Sequence, residues 1–335
     1  MTTPRSTIAV TGAGGFVGRH VVTWLAERGY RVVAVSRRPV EFSSPLIESR
    51  AIPERPGRPD LGEAFRGAQG VVHLAGRAHV MAEHGIDSLA AYREANVGLT
   101  RNCLQAAAEV GCQRFVLASS VKAVGESTAT PWTEDTEPHP VDPYGVSKLE
   151  AERLVADASD PLGVASVIVR FPLVYGPGMR ANMLALFRAV DRGRLLPLGA
   201  VDNRRSLLYV GNAAAGLALA VEPGAATGLY FLSDGQDLST PELVRAVATG
   251  LGKTARLVSV PPVLLRWAGA VGGMARRVGL AAPDAAAMAR LLGSLTVDIG
   301  RARDRLGYRP PFSVADGMRL TARWYLDDPT APSLG

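Results

Sequence analysis

The chain has 335 residues, 47% hydrophobic and 20% charged, the balance of a soluble globular protein with room for one large or two small domains. Its net charge of +6 is spread out with no Lys/Arg run, which argues against nucleic-acid binding and leaves only a weak hint of an anionic ligand. Two cysteines, Cys103 and Cys112, are too few to staple such a chain and read as reduced thiols.

MTTPRS runs straight into an apolar segment, so no leader is expected and the cytoplasm is the default location. STIAVTG (6–12) reads as a short strand and FVGRHVVTWLAERG (16–29) as a helix stopped by Gly29. Further strands are RVVAVS (31–36), GVVHLAG (70–76), RFVLASS (114–120) and ASVIVRF (165–171). Helical periodicity covers ANVGLTRNCLQAAAEVG (95–111) and PYGVSKLEAERLVADA (143–158). This alternation predicts an α/β, Rossmann-type doubly wound parallel sheet over residues 1–176. Beyond it Gly and Pro become frequent, which predicts a smaller C-terminal α/β substrate-binding domain over 177–335. LLYVGNAAAGLALAV (207–221) again reads strand then helix, so it is assigned to the first domain and the two are expected to interleave. The apolar run VLLRWAGAVGGMA (263–275) contains Arg266 and is too short to span a bilayer. A substrate-domain helix is expected there, in preference to the peripheral membrane contact that its basic flanks suggest.

TGAGGFVG places Gly12, Gly15 and Gly18 in a GxxGxxG spacing between the first strand and the first helix. Glycines there let the backbone turn tightly and approach a pyrophosphate, and the helix N-terminus offers free N–H groups to the anion. The next strand ends in Ser36, Arg37 and Arg38, where an NAD site would carry Asp or Glu. Ser36 could bond a 2′-phosphate and the arginines could neutralise it, so NADP(H) is expected over NAD(H). In DPYGVSK, Asp142 is a good N-cap and Pro143 a good first helical residue, which puts Tyr144 and Lys148 on one helix face. Two unit charges about 4 Å apart interact by roughly 4 kcal/mol at an effective dielectric near 20, so the ammonium is expected to lower the phenol toward neutral pH. Ser120 stands at the end of its strand, at the edge where ligands of doubly wound sheets bind. His79 and His84 lack metal-site spacing, and no metal is expected.

Together TGAGGFVG, HLAG (73–76), ANVGLT (95–100), SSVKAVG (119–125), PYGVSK (143–148), RFPLVYGPG (170–178) and RRSLLYV (204–210) resemble the extended short-chain dehydrogenase/reductases of the NAD-dependent epimerase/dehydratase family. The tail at 293–318 resembles that family's C-terminal segment. The resemblance implies Ser120, Tyr144 and Lys148 as the catalytic set, with Tyr144 exchanging a proton with a sugar hydroxyl or ketone. It implies cofactor contacts from Gly12, Gly15, Phe16, Val17, Gly18, Leu74, Ala75, Gly76, Asn96, Tyr144, Lys148 and Phe171. For Asn96, a structural and a catalytic role stay open. Substrate contacts are implied for Ser120, Lys122, Tyr144, Asn182 and Arg205, the last two toward a diphosphate. Departures are Val124 for the usual tyrosine of a VYG element, and Leu173 for an asparagine that many members carry.

The local wording is most similar to a subgroup acting at C4 of UDP-N-acetylhexosamines. The expected activity is reduction of a UDP-4-keto-6-deoxy-N-acetylhexosamine for polysaccharide precursors. The alternatives are a UDP-hexose or UDP-N-acetylhexosamine 4-epimerase with tightly bound NAD, and a non-catalytic NAD(P)-binding regulator. Val121 and Lys122, in place of an acidic pair after Ser120, disfavour 4,6-dehydration. The family also implies a homodimer paired through the helices at 95–111 and 143–158.

Overall fold

The computed structural model describes residues 5–77, 86–265, 267 and 285–327. His79, His84 and most of the 263–275 run lie outside them. Among the described residues nine strands form two sheets, the larger one seven-stranded and parallel throughout. In chain order the strands are β1 (Arg5–Thr11), β2 (Tyr30–Ser36), β3 (Ile47–Ala51), β4 (Gly70–His73), β5 (Arg114–Ser120), β6 (Ala165–Phe171), β7 (Leu173–Tyr175), β8 (Leu207–Tyr209) and β9 (Gly228–Phe231). The large sheet runs β3-β2-β1-β4-β5-β6-β9, so the order reverses between β1 and β4. The crevice beyond the carboxyl ends of those two strands is where such sheets bind ligands.

The central strands are apolar without alternation because helices cover both faces. Ile8, Ala9 and Val10 of β1 and Val71 and Val72 of β4 are all fully buried or nearly so. One face carries α1 (Phe16–Glu27) and α7 (Val210–Val221), which share a core with β1 and β6. The other carries α2 (Arg58–Phe65), α4 (Leu99–Glu109) and α5 (Pro143–Ser159). Between these come α3 (Ile86–Tyr92) and α6 (Ala181–Asp191). The described residues after β9 carry α8 (Thr240–Gly250), α9 (Ala285–Leu292), α10 (Gly300–Arg305) and α11 (Val314–Asp327). A second core, around Phe187, Tyr209, Val247 and Met318, joins α6, α8 and α11 over the small parallel sheet β7–β8.

Several elements differ from the sequence reading. The strand expected over 70–76 stops at His73, because the Leu74 and Ala75 amides turn to the Thr11 hydroxyl. The helix expected from residue 95 is entered two residues earlier, through a wide π-helical turn (Arg93–Gly98). Strand β3 and helix α2 had no clear sequence signal: β3 carries Glu48, Ser49 and Arg50 on an edge, and α2 is short and Pro-started. Late strand β9 returns to the large sheet beside β6. Early strand β7 pairs instead with β8.

Candidate active site

At the switch point the glycine turn is shaped by its neighbours. Gly12 has φ +69°, and a Cβ there would lie 2.8 Å from the Ala75 nitrogen, while one on Gly18 would collide with the Gly12 carbonyl. Those two glycines let β1, β4 and α1 close on each other. Gly15 is the N-cap of α1, with no capping side chain and no acid in the first turn. The Gly15 amide donates to the Gly12 carbonyl at 2.9 Å, and the first-turn amides of Phe16 and Val17 face an anion site at the positive end of the helix. These residues fit the diphosphate of a dinucleotide.

At the end of β2 the Ser36 hydroxyl donates to the Arg38 carbonyl at 2.5 Å, and exposed Arg37 lies 3.5 Å from exposed Glu54. Arg38 is exposed at the same edge. The edge is therefore cationic, but a carboxylate from the following loop already accompanies one arginine. The local sequence had hidden this because Glu54 lies beyond β3.

A buried hydrogen-bond chain joins the turn to the helix bearing the tyrosine. Thr11 Oγ1 accepts from the Leu74 and Ala75 amides at 3.2 Å each, so its proton points to His73 Nδ1 at 2.7 Å. That makes His73 the Nε2–H tautomer, donating to Thr100 Oγ1 at 3.1 Å. Burial, with the Lys148 charge nearby, holds His73 neutral, its pKa lowered to about 3. Thr100 donates in turn to the Asn96 carbonyl at 2.5 Å. The Asn96 side chain accepts from the Arg77 amide at 2.7 Å and donates to Ser147 Oγ at 2.9 Å. Ser147 donates to the Tyr144 carbonyl at 2.8 Å. The π-helical turn aims Asn96 inward to make these bonds, and a Cβ on Gly76 would lie 2.7 Å from its Oδ1. Leu74, Ala75, Gly76 and Asn96 thus converge on the crevice.

Ser120, Tyr144 and Lys148 meet at the carboxyl end of β5. Asp142 caps α5 by accepting from the Gly145 amide at 2.6 Å. The helix start then docks so tightly on residues 121–123 that a Cβ on Gly145 would collide with the Lys122 carbonyl. That approach lets Ser120 and the Tyr144 hydroxyl share a hydrogen bond. Tyr92 stacks edge-on with Tyr144, centroids 5.9 Å apart. Lys148 is buried and donates to the Ala118 carbonyl at 2.7 Å. Phe171 at the end of β6 is in register with Ser120.

The electrostatics correct the sequence expectation. Tyr144 is not lowered toward neutrality: burial pushes it up to about 12, against the Ser120 bond and with help from Asp142, Tyr92 and Glu152. Lys148 is itself brought down to about 8 by burial, partly offset by Glu152. The ammonium is turned to the Ala118 carbonyl, with the charge of Glu152 acting on it, and desolvation of Tyr144 and Lys148 outweighs their attraction.

Glu152, one turn beyond Lys148, had not been singled out. It is buried and takes the buried Arg170 guanidinium of β6 at 2.7 to 3.2 Å, and it accepts the Ser119 hydroxyl. Its i+4 spacing from Lys148 was a readable signal; its partner Arg170 was not.

The substrate-side assignments are mixed. Lys122 is largely buried and held by Glu126 and by Asp142 at 3.4 Å, so it is not turned out to solvent and not uncompensated. Arg205 is mostly buried, pairs its backbone with Leu238, and donates to the Gly293 carbonyl at 3.1 Å. The charge of Glu126 reaches it, which ties the second core to the catalytic edge. Asn182 is exposed in the first turn of α6. The loop before it is tethered over α1 by His20 on the Pro177 carbonyl, 2.8 Å. Among the described residues no cluster of three His, Cys, Asp or Glu could hold a metal ion. No helix among them is long and apolar enough to cross a membrane.

The family model described as "NAD dependent epimerase/dehydratase family" matches residues 8–230. The chain is 35% identical over 329 residues to UDP-glucose 4-epimerase of Vibrio cholerae, covering 96% of each. The solved structure of MoeE5 in complex with UDP-glucuronic acid and NAD is 26% identical, with a TM-score of 0.74 over 96% of this chain and 99% of that one. UDP-N-acetylglucosamine 4-epimerase from Bacillus cereus has the same fold at 22% identity, with a TM-score of 0.76 over 95% of this chain and 99% of that one.

Proposed function

The chain belongs to the NAD dependent epimerase/dehydratase family, and on that premise we propose that it inverts C4 of a UDP-linked hexose or N-acetylhexosamine. The observation that carries the reading is the hydrogen-bonded Ser120–Tyr144 pair beside buried Lys148, at the sheet edge that the glycine turn opens. The Vibrio cholerae relative supports the epimerase over a reductase. Ser120 orients the C4 hydroxyl; with the positive charge of an oxidised nicotinamide added to that of Lys148, the phenol of Tyr144, raised by burial, would be lowered enough to take the hydroxyl proton and to give it back to the C4 oxygen after the sugar turns its opposite face. The bound nicotinamide supplies the hydride acceptor and donor. Lys148 holds positive charge at the ribose side, and Val121 and Lys122 after Ser120 offer no acid pair for elimination. Arg205 and Asn182 hold the diphosphate, through the guanidinium and the amide respectively. Incubation with UDP-glucose or UDP-N-acetylglucosamine, without added cofactor, should yield the C4 epimer by NMR. Tyr144→Phe should abolish that conversion, and retained conversion would sink the reading.

One observation favours a second reading. Ser36, Arg37 and Arg38 occupy the β2 edge where an acid would exclude a 2′-phosphate. With NADP(H) turning over, the enzyme would reduce a UDP-4-keto-6-deoxy-N-acetylhexosamine. Depletion of NADPH by that keto-sugar, lost in Arg37→Ala, would favour the reductase. The family pairing of α4 and α5 across a homodimer is part of the same proposal. Light scattering that gave a monomer mass at assay concentration would remove it.

A further inference from the structure

Of the large hydrophobic side chains exposed on the described surface, five lie on one small region of the second core: Leu195, Val258, Val263, Leu264 and Trp267, between 40% and 68% exposed. The region is contiguous. Residues 195–199 run alongside 256–260, joined by Leu196 N–H to the Arg256 carbonyl at 2.8 Å and Val258 N–H to the Leu196 carbonyl at 2.9 Å. Side chains alternate along this ribbon. Leu196 and Leu257 turn inward onto the core, while Leu195, Pro197, Arg256 and Val258 turn out. A helical turn after Pro261 buries Leu265 and leaves Val263 and Leu264 outward.

Burial does not explain these residues, since their neighbours Leu196, Leu257 and Leu265 already fill the core below them. Charge decides what covers them. The segments 192–200 and 252–267 contain no Asp or Glu. Exposed Arg192, Arg194 and Arg256 rim the apolar face, and Lys253 is held by Asp191 of α6. An apolar patch with a tryptophan and a one-signed basic rim complements a bilayer surface, where the aliphatics enter the acyl boundary and the arginines meet anionic headgroups. A protein partner or a second copy would have to bring its own acids to this rim, and the acid this face carries there, Asp191, is already taken by Lys253.

We propose that this face of the substrate lobe docks on an anionic lipid surface, so that the enzyme works at a membrane without spanning it. The test uses the full-length chain and vesicles of phosphatidylcholine with and without phosphatidylglycerol. The protein should sediment with the anionic vesicles. Its tryptophan emission should shift to the blue, and Trp267→Phe should remove the shift. Val263→Glu with Leu264→Glu should cut partitioning on the order of ten-fold or more. Arg194→Gln with Arg256→Gln should cut it roughly five-fold per arginine and flatten its salt dependence. Both pairs lie outside the catalytic set, so turnover of soluble UDP-sugar should be unchanged. That readout keeps a failed docking idea distinct from a failed epimerase reading. No sedimentation with either vesicle would overturn the proposal, as would sedimentation unaffected by the glutamates. Self-association that the same glutamates abolish would overturn it in favour of contact between copies.

Discussion

Glu152→Gln separates the charge of the buried cluster from its shape. In the native protein the carboxylate holds Arg170 at 2.7 Å and draws the Lys148 ammonium upward against the burial that leaves it at about 8. Unit charges one helical turn apart, about 6 Å, interact by roughly 3 kcal/mol at an effective dielectric near 20. Arg170 already shares the carboxylate, so about half of that, or roughly one pKa unit, is the expected net fall for Lys148. The lysine would then lose its proton near neutral pH, and the alkaline limb of kcat should move down by about one unit. The orphaned Arg170 should also cost about 3 kcal/mol of stability, since breaking a buried pair leaves an uncompensated charge. The assay is UDP-sugar turnover from roughly pH 6 to 10, beside thermal unfolding of the same samples. Glu152→Gln with Arg170→Met removes both charges, and should regain stability while the alkaline limb stays displaced. A lowered Tm with an unmoved alkaline limb would refute the reasoning and reduce Glu152 to a packing role.

Gly145→Ala tests the close approach of α5 to residue 122. Alanine ordinarily gains about 0.5–1 kcal/mol over glycine inside a helix, but the new methyl would be driven into the Lys122 carbonyl. A net loss of roughly 1–3 kcal/mol is expected, with a fall in kcat as Ser120 and Tyr144 separate, and a raised Tm would count against it. Asn96→Ala should remove the side-chain acceptor of the Arg77 amide and the donor to Ser147 Oγ, costing about 1–3 kcal/mol and lowering kcat more than KM. Asp234 is buried against Tyr175, Tyr209 and Asn212, and burial raises its carboxyl to about 6. The protonated form is therefore favoured on folding, and that stabilisation is fully present below the unfolded pKa near 4 and lost as pH rises through about 6. Relative to Asp234→Asn, the native protein should lose up to about 3 kcal/mol across that window, measured as the difference in Tm. A constant difference from pH 4 to about 7 would exclude the linkage.

Much of the architecture was legible because its signals are local. The strands 114–120 and 165–171 have the bounds that their apolar runs announce, and GxxGxxG marks the first strand–helix turn. The spacing of Tyr144 and Lys148 puts them on one face through helix geometry alone. Edge elements were harder, because β3 carries charged residues that no core demands. The π-helical turn at 93–98 leaves no periodic signature, since one extra residue per turn shifts the pattern without erasing it.

What the residue order determined by itself was the alternation of strands and helices, the glycine turn and the identity of the Ser, Tyr and Lys at the sheet edge. Protonation was decided by tertiary structure alone. Tyr144 rises to about 12 and Lys148 falls to about 8 because packing removes water from both, an effect larger than the pair attraction their spacing implies. Partners distant in sequence decided the rest: Arg170 for Glu152, Glu54 for Arg37, Asp142 for Lys122 and Glu126 for Arg205. Spacing along a chain specifies which side chains can share a face, but the dielectric and the counter-charges around them exist only once the sheet has closed.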